Sequence, residues 1–163
     1  MMSKEVVSSS LIELLNQALL REIHVSIQYM LQHSVENGYR AAVEDKKQLT
    51  RQSNFIASHS NIWFPGSTLK KIAITEMRHA EAIAERIVVL GGEPIKDPGE
   101  INIGSTTTEM LAIDKEEERK AIDLYKKIIN LADQENDNIT KNMFQRILAD
   151  EEKHYNEFSK LLA

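Results

Sequence analysis

Apolar residues recur at helical spacing along most of this chain, and the pattern divides into four stretches. Leu11, Leu15, Ala18, Leu19, Val25 and Tyr29 form a stripe that predicts a first helix, α1, from about 10 to about 37. A second stripe on it, Leu20, Ile23, Ile27 and Leu31, points elsewhere. A helix apolar on two sides is buried on two sides, one against its own bundle and the other against a partner subunit. The second helix, α2, is expected to start near residue 67, after Pro65-Gly66, and to stop at Gly91-Gly92. Its inner face is Leu69, Ile72, Ala73, Ala80, Ile83, Ile87 and Leu90. The third, α3, opens with Thr106-Thr107-Thr108-Glu109, a capping box with Thr106 as N-cap, and continues to about 133. The fourth, α4, spans about 137–162, with Met143, Phe144, Ile147, Leu148, Tyr155, Phe158 and Leu162 inward. No Val, Ile or aromatic run alternates with period two, so the chain reads as all-α.

The links set the topology. Only a few residues separate α3 from α4, which makes them antiparallel neighbours. Between α2 and α3 lies GGEPIKDPGEINIGS, whose extended reach of roughly 50 Å exceeds the length of a helix of about 36 Å. That link can return along the whole molecule and start α3 parallel to α2. The expectation is an antiparallel four-helix bundle with one long α2–α3 crossover, formed as a single domain over residues 1–163. The stretch 38–66 exceeds what an α1–α2 link needs, and an added helical segment with a loop is expected there. Trp63 and Phe64 within it read as a packing or subunit contact.

Charged residues interrupt the apolar stripes at a few places. Glu22 lies in the middle of the α1 stripe. Glu76-Met77-Arg78-His79 on α2 and Glu151-Glu152-Lys153-His154 on α4 both read Glu-x-x-His. Residues three apart share a helix face, so one turn offers a carboxylate and an imidazole to the same metal ion. A single inward glutamate is ordinarily a side chain that snorkels or pairs with lysine. Five such residues on three helices, in two matching motifs, ask for another explanation. No inward lysine or arginine stands out to neutralise them, whereas two divalent cations would. On α3, helical phase brings Asp114, Glu117 and Glu118 within reach of the inner face and leaves Glu116 outside. A charge run is usually a solvated face, and periodicity alone does not choose among the three. Glutamate oxygen and neutral imidazole nitrogen suit iron or manganese. His24, His33 and His59 read as ordinary surface or loop residues.

Composition narrows the setting. The net charge of −5 and a pI of about 5.6 exclude a general nucleic-acid binder. There is no cysteine, which removes iron–sulfur and rubredoxin-type sites and suits a reducing cytoplasm. No apolar run approaches the roughly 20 residues that span a membrane, and the start MMSKEVVSSS is no signal peptide.

The run Arg21-Glu22-Ile23 with Tyr29 seven residues on, Glu76-Met77-Arg78-His79-Ala80, and Ile147-Leu148-Ala149-Asp150-Glu151-Glu152-Lys153-His154 resemble the bacterioferritin branch of the ferritin-like superfamily. The resemblance implies a ferritin-like bundle with two iron ions per subunit. Spacing within that family selects Glu118 on α3. By the same analogy Glu22 and His79 bind one metal, Glu118 and His154 the other, and Glu76 and Glu151 bridge. Glu22 then precedes Glu76 by 54 positions and Glu118 precedes Glu151 by 33, a faint internal duplication whose excess falls in 38–66. The family oxidises Fe2+ and stores ferric mineral in a hollow shell. Its haem b lies across a two-fold interface, held by a methionine that follows the first glutamate of the second helix, and Met77 stands there. The residue-level alternative for Met77 is a plastic packing side chain.

Some positions depart from the family. Only nine residues follow His154, so the fifth helix that lines four-fold channels of a 24-subunit shell is not expected, and a smaller cage or a dimer stands open. Thr75 and Lys71 replace an aspartate and a histidine, and Ala121 stands where rubrerythrin-like proteins carry a further glutamate. The leading expectation is a cytoplasmic, homo-oligomeric ferroxidase that stores iron and uses O2 or H2O2, with no nucleic-acid or membrane partner. Its alternatives are a non-storing di-metal oxidase, peroxidase or manganese catalase, and a metal-free structural bundle. Tyr29 reads as a core tyrosine or as a relay for an electron or proton.

Overall fold

A computed structural model describes residues 8–49 and 66–163. The described residues form four helices: α1 Ser9–Leu49, α2 Gly66–Val89, α3 Thr107–Gln134 and α4 Asn138–Leu161. The last three agree with the sequence reading to within about two residues, the usual uncertainty of a helix end. The first does not, because α1 passes through Gly38 without a break and ends at Leu49 rather than near 37. An isolated glycine costs a helix only about 1 kcal/mol, and the flanking residues Tyr39-Arg40-Ala41-Ala42 are compatible with helix. Part of the expected insertion is therefore an extension of α1. Trp63, Phe64 and His59 lie outside the described residues.

Two clusters of buried apolar side chains fill the bundle. One gathers Leu11, Leu15, Ala18 and Leu19 of α1, Ala80, Ile83 and Ile87 of α2, Ala121, Tyr125 and Ile128 of α3, and Phe144 and Ile147 of α4. The other gathers Val25 and Tyr29, Leu69, Ile72 and Ala73, Leu111, and Phe158. Read in chain order, α1 runs from the first cluster to the second, α2 returns, α3 returns again, and α4 goes back. α2 and α3 are thus parallel and the crossover spans the bundle, as the sequence predicts. Met143, Leu148, Tyr155, Leu90 and Leu162 are half-buried at the margins rather than central. The second stripe of α1 is also only partly covered, with Leu31 exposed.

The crossover is laid down along α1 by three polar side chains spaced eight residues apart. Asn16 donates to the Glu93 carbonyl at 3.1 Å and accepts from the Ile95 amide at 2.8 Å. His24 Nδ1 lies 3.1 Å from the Pro98 carbonyl, and Gln32 donates to the Ile103 carbonyl at 3.2 Å. Each satisfies a backbone group that no helix or strand would pair.

Helix ends explain the sharp turns. α2 closes in a Schellman motif: Gly91, at φ +85, donates to Val88 and Gly92 donates to Ile87. Gly92 also sits where an added Cβ would fall 2.7 Å from Ile12 and 2.9 Å from Ile87, so α2 reaches its neighbour only with glycine there. α3 ends in the same motif with Asn136 at φ 58 as the left-handed residue. The next residue, Asp137, is already the N-cap of α4 and accepts from the Thr140 amide. At the start of α3, Thr106 caps the Glu109 amide, but the Glu109 carboxylate accepts from the Ser105 amide, one residue outside the expected box.

Arg86 of α2 reaches this corner, donating to Asp137 at 2.7 Å and to Thr140 at 2.8 Å. Asp137→Ala removes a cap and leaves a mostly buried guanidinium unpaired, and it is expected to cost about 1–3 kcal/mol. Urea denaturation at neutral pH checks this, and an unchanged midpoint would show that the corner contributes nothing.

Candidate metal centre

Between the two apolar clusters all four helices place charge. Glu22 on α1, Glu76 and His79 on α2, Glu118 on α3, and Glu151 and His154 on α4 meet at mid-height. The four glutamates are fully buried and both histidines nearly so. Periodicity causes this: on each helix the acid occupies a core position between apolar residues of the two clusters, and each histidine lies one turn beyond its glutamate.

Two sets of ligand atoms emerge. Glu22, Glu76, His79 and Glu151 can each offer an atom within 4.8 Å of the others, and so can Glu76, Glu118, Glu151 and His154. Glu76 and Glu151 belong to both. His79 Nδ1 lies 3.1 Å from Glu76 Oε2, 3.1 Å from Glu151 Oε1 and 3.8 Å from Glu22 Oε2. His154 Nδ1 lies 2.8 Å from Glu76 Oε1 and 3.8 Å from Glu151 Oε2. Each shared glutamate therefore turns one oxygen to each histidine. All six residues singled out from the sequence come together here. Glu117, left open on α3, instead pairs with Lys120 at 2.7 Å near the surface.

The ionisation of the cluster is abnormal in a consistent way. Burial and the neighbouring charges of Glu22 and Glu118 push Glu76 up to about 7. Burial also drives Glu118 well above the usual carboxylate range, against the pull of Arg21. Burial opposes charge on His79 and His154 too, but the carboxylates facing them outweigh it and hold the imidazoles up at about 12 and about 10. Glu22 is held down at about 2, because Arg21 and His79 overcome its burial. With protons as the only mobile cations, the cluster takes up what positive charge it can. Even so, Glu22 Oε2, Glu76 Oε1, Glu151 Oε1 and His154 Nδ1 make no well-aligned hydrogen bond, although Glu76 Oε1 and His154 Nδ1 lie 2.8 Å apart and Glu151 Oε1 lies 3.1 Å from His79 Nδ1. Buried orphan acceptors are costly and rare. Oxygen and imidazole donors grouped this closely fit divalent iron or manganese.

One expectation fails here. The sequence reading found no inward arginine, yet Arg21 is buried and its guanidinium lies among the acids. The signal was present, since Arg21 falls three residues after Ala18 and four before Val25, on the inner stripe. Tyr29 is a core tyrosine, one of the two readings open for it, and Tyr125, which was not singled out from the sequence, is buried beside the acids as well. Tyr29 donates to Glu118 Oε1 at 2.5 Å, and Tyr125 donates to Glu22 Oε1. Tyr29 stacks at a tilt on Phe158 and Tyr125 edge-on to Phe144, so one aromatic pair closes each side of the charged layer. Asp114 is buried away from the cluster, where burial pushes it up to about 8 although Gln28 and Gln32 each donate to it at 2.9 Å.

A four-helix bundle with one long crossover and a buried layer of four glutamates and two histidines defines a protein of the ferritin-like class. The family model described as Ferritin-like domain matches residues 63–163. A bacterioferritin of Desulfovibrio desulfuricans is 31% identical over 153 residues, covering 93% of this chain and 74% of that protein. One from Streptomyces coelicolor is 32% identical over 144 residues, covering 88% and 74%. The fold is similar to that of Mycobacterium tuberculosis bacterioferritin, with a TM-score of 0.77 at 24% identity, over 96% of this chain and 86% of that one. The chain belongs to the bacterioferritin branch of the ferritin-like superfamily.

Proposed function

We propose that this protein is a ferroxidase and iron-storage protein, which takes Fe2+ into the buried layer, oxidises it there, and assembles as a homo-oligomer into a hollow cage. The observation that supports this most is the pair of buried, overlapping donor sets, Glu22, Glu76, His79 and Glu151 on one side and Glu76, Glu118, Glu151 and His154 on the other. In this reading Glu22 and His79 hold one iron, Glu118 and His154 the other, and Glu76 and Glu151 bridge. Two Fe2+ side by side supply both electrons that O2 or H2O2 takes up. The chain's own part is to hold the ions at fixed separation, to balance their charge, and to exclude bulk water with the apolar clusters on either side. Tyr29 fixes one oxygen of Glu118 and Tyr125 one oxygen of Glu22, which limits how far those carboxylates swing. Manganese would find the same donors. A cytoplasmic setting suits the cysteine-free composition, and among the described residues no helix is long and apolar enough to cross a membrane.

The outer face of α1 and α2 supports assembly. Ile27, Met30, Leu31, Ala73, Ile74 and Met77 line a cavity of about 360 Å³, and Met77 is 51% exposed. An exposed apolar patch marks an interaction site. We place a second copy of the chain against it, with a haem between the two Met77 side chains. A spectral titration with haem tests this: the wild type should bind one haem per two chains and Met77→Ala should not. Equal binding by both proteins would remove Met77 from the role.

Aerobic Fe2+ titration followed by size-exclusion chromatography tests the main reading. Oxidation should continue far past about two irons per chain, with the iron eluting in a large particle. An arrest near two would leave a non-storing di-metal oxidase or peroxidase. Glu76→Ala and Glu151→Ala should abolish oxidation and lower the stability of the metal-loaded protein. In a bundle that never binds metal, the same changes would stabilise it by removing buried charge.

Proton release gives an independent check. At pH 7 the metal-free His79 and His154 are cationic, since they titrate at about 12 and about 10. Ligation needs them neutral, so binding two divalent ions should release about two protons from them, and more from Glu76. Affinity must then fall as pH falls, on the order of 100-fold per unit for two protons. Calorimetry with Mn2+ in buffers of different ionisation enthalpy measures the number, and pH-independent binding would exclude both histidines.

A further inference from the structure

Arg21 touches three of the four buried carboxylates, from three different helices. Its Nη2 donates to Glu118 Oε2 at 3.0 Å, and its Nη1 lies 3.2 Å from Glu22 Oε1 and 3.5 Å from Glu151 Oε2. The guanidinium is oriented by weaker contacts, Nε to the Glu117 carbonyl at 3.3 Å and Nη1 to the Tyr125 hydroxyl at 3.4 Å. Glu76 is the one glutamate for which no bond to Arg21 is found. The fork and its permanent charge make arginine a fixed internal cation, unlike a lysine that could deprotonate on burial.

The two donor sets are left unequal by this arrangement. In the set of Glu22, Glu76, His79 and Glu151, Glu22 Oε2 and Glu151 Oε1 are clear of Arg21 and of both tyrosine hydroxyls, and both face His79. In the other set, Glu118 has no free oxygen, because Tyr29 takes Oε1 and Arg21 takes Oε2. The Glu151 oxygen nearer His154 is also the one that Arg21 reaches. Charge points the same way. With four ionised carboxylates, neutral imidazoles and one guanidinium, one divalent cation leaves the layer one charge negative and a second leaves it one charge positive, whereas without Arg21 the second would bring it to balance. Repulsion between buried like charges is strong at this range.

We infer that Arg21 is a positioning residue that makes the two metal positions unequal: a divalent cation fills the Glu22–Glu76–His79–Glu151 position first, and the Glu118–His154 position binds second and more weakly, in competition with the guanidinium. The inference rests on the metal-centre reading above. It adds an order of filling that the ligand residues alone, symmetric about Glu76 and Glu151, would not impose. The guanidinium also keeps Glu118 fixed while its position is empty, in place of the metal.

Co2+ is a suitable probe, because its absorbance reports coordination and it does not turn over. Titrating the whole metal-free chain by calorimetry and absorbance should give two separated steps. Arg21→Gln removes the competing charge and should tighten the second step by about tenfold or more, as expected for relieving repulsion between like charges a few ångströms apart. Glu22→Gln should remove the tight step, and Glu118→Gln the weak step alone, so the order remains testable even where Arg21→Gln fails to fold. Two equal steps in the wild type, or an Arg21→Gln protein with the same gap between steps, would overturn the inference and leave the metal centre intact. No Co2+ binding by the wild type would overturn the metal centre itself and the inference with it.

Discussion

A layer of buried charge across the middle of an apolar bundle is the constraint around which this molecule is arranged. Four glutamates with almost no access to water are far from electroneutral on their own, and a protein interior does not hold such charge uncompensated. Every helix contributes to the layer, and every helix is apolar above and below it. Separating the four helices would expose both apolar clusters. Bringing them together forces the carboxylates into one another's fields. Compensation must come from within, and the chain offers two kinds, a fixed guanidinium and exchangeable cations.

The two kinds divide the carboxylate oxygens between them. Arg21 and the two tyrosine hydroxyls occupy oxygens of Glu22, Glu118 and Glu151 on one side. The remaining oxygens, Glu22 Oε2, both of Glu76 and Glu151 Oε1, face the histidines instead. In the metal-free state protons take up part of the deficit, which is why Glu76 titrates near 7 and the imidazoles stay cationic. Protons are a poor substitute, because each neutralises one group and leaves its other lone pairs unmet. A divalent ion between shared carboxylates meets several at once. Stability and iron chemistry thus draw on the same atoms.

Much of this was legible in the sequence because periodicity carries it. The Glu-x-x-His turns at Glu76 and Glu151 could be placed on inner faces from their apolar neighbours alone, and the crossover followed from the length of one link. Glu118 was different. Asp114, Glu117 and Glu118 all fall within reach of the inner face, spread over about 100° of the helix, so only family spacing separated Glu118 from the other two. Arg21 was passed over for a related reason: charge suggests solvent, although its phase between Ala18 and Val25 pointed inward. The Asn16, His24 and Gln32 anchors of the crossover were not readable, since their partners are backbone carbonyls and an amide of a link with no periodicity. The extension of α1 beyond Gly38 escaped because a lone glycine stops a helix only when the residues after it also fail to continue it.

Anomalous diffraction from crystals of this protein soaked anaerobically in Fe2+ tests the central claim most directly. Two iron peaks per chain, both bounded by Glu76 and Glu151, with His79 beside one and His154 beside the other, is the predicted result. Iron bound only at the surface, with the buried carboxylates still in contact with Arg21 and the histidines alone, would contradict it.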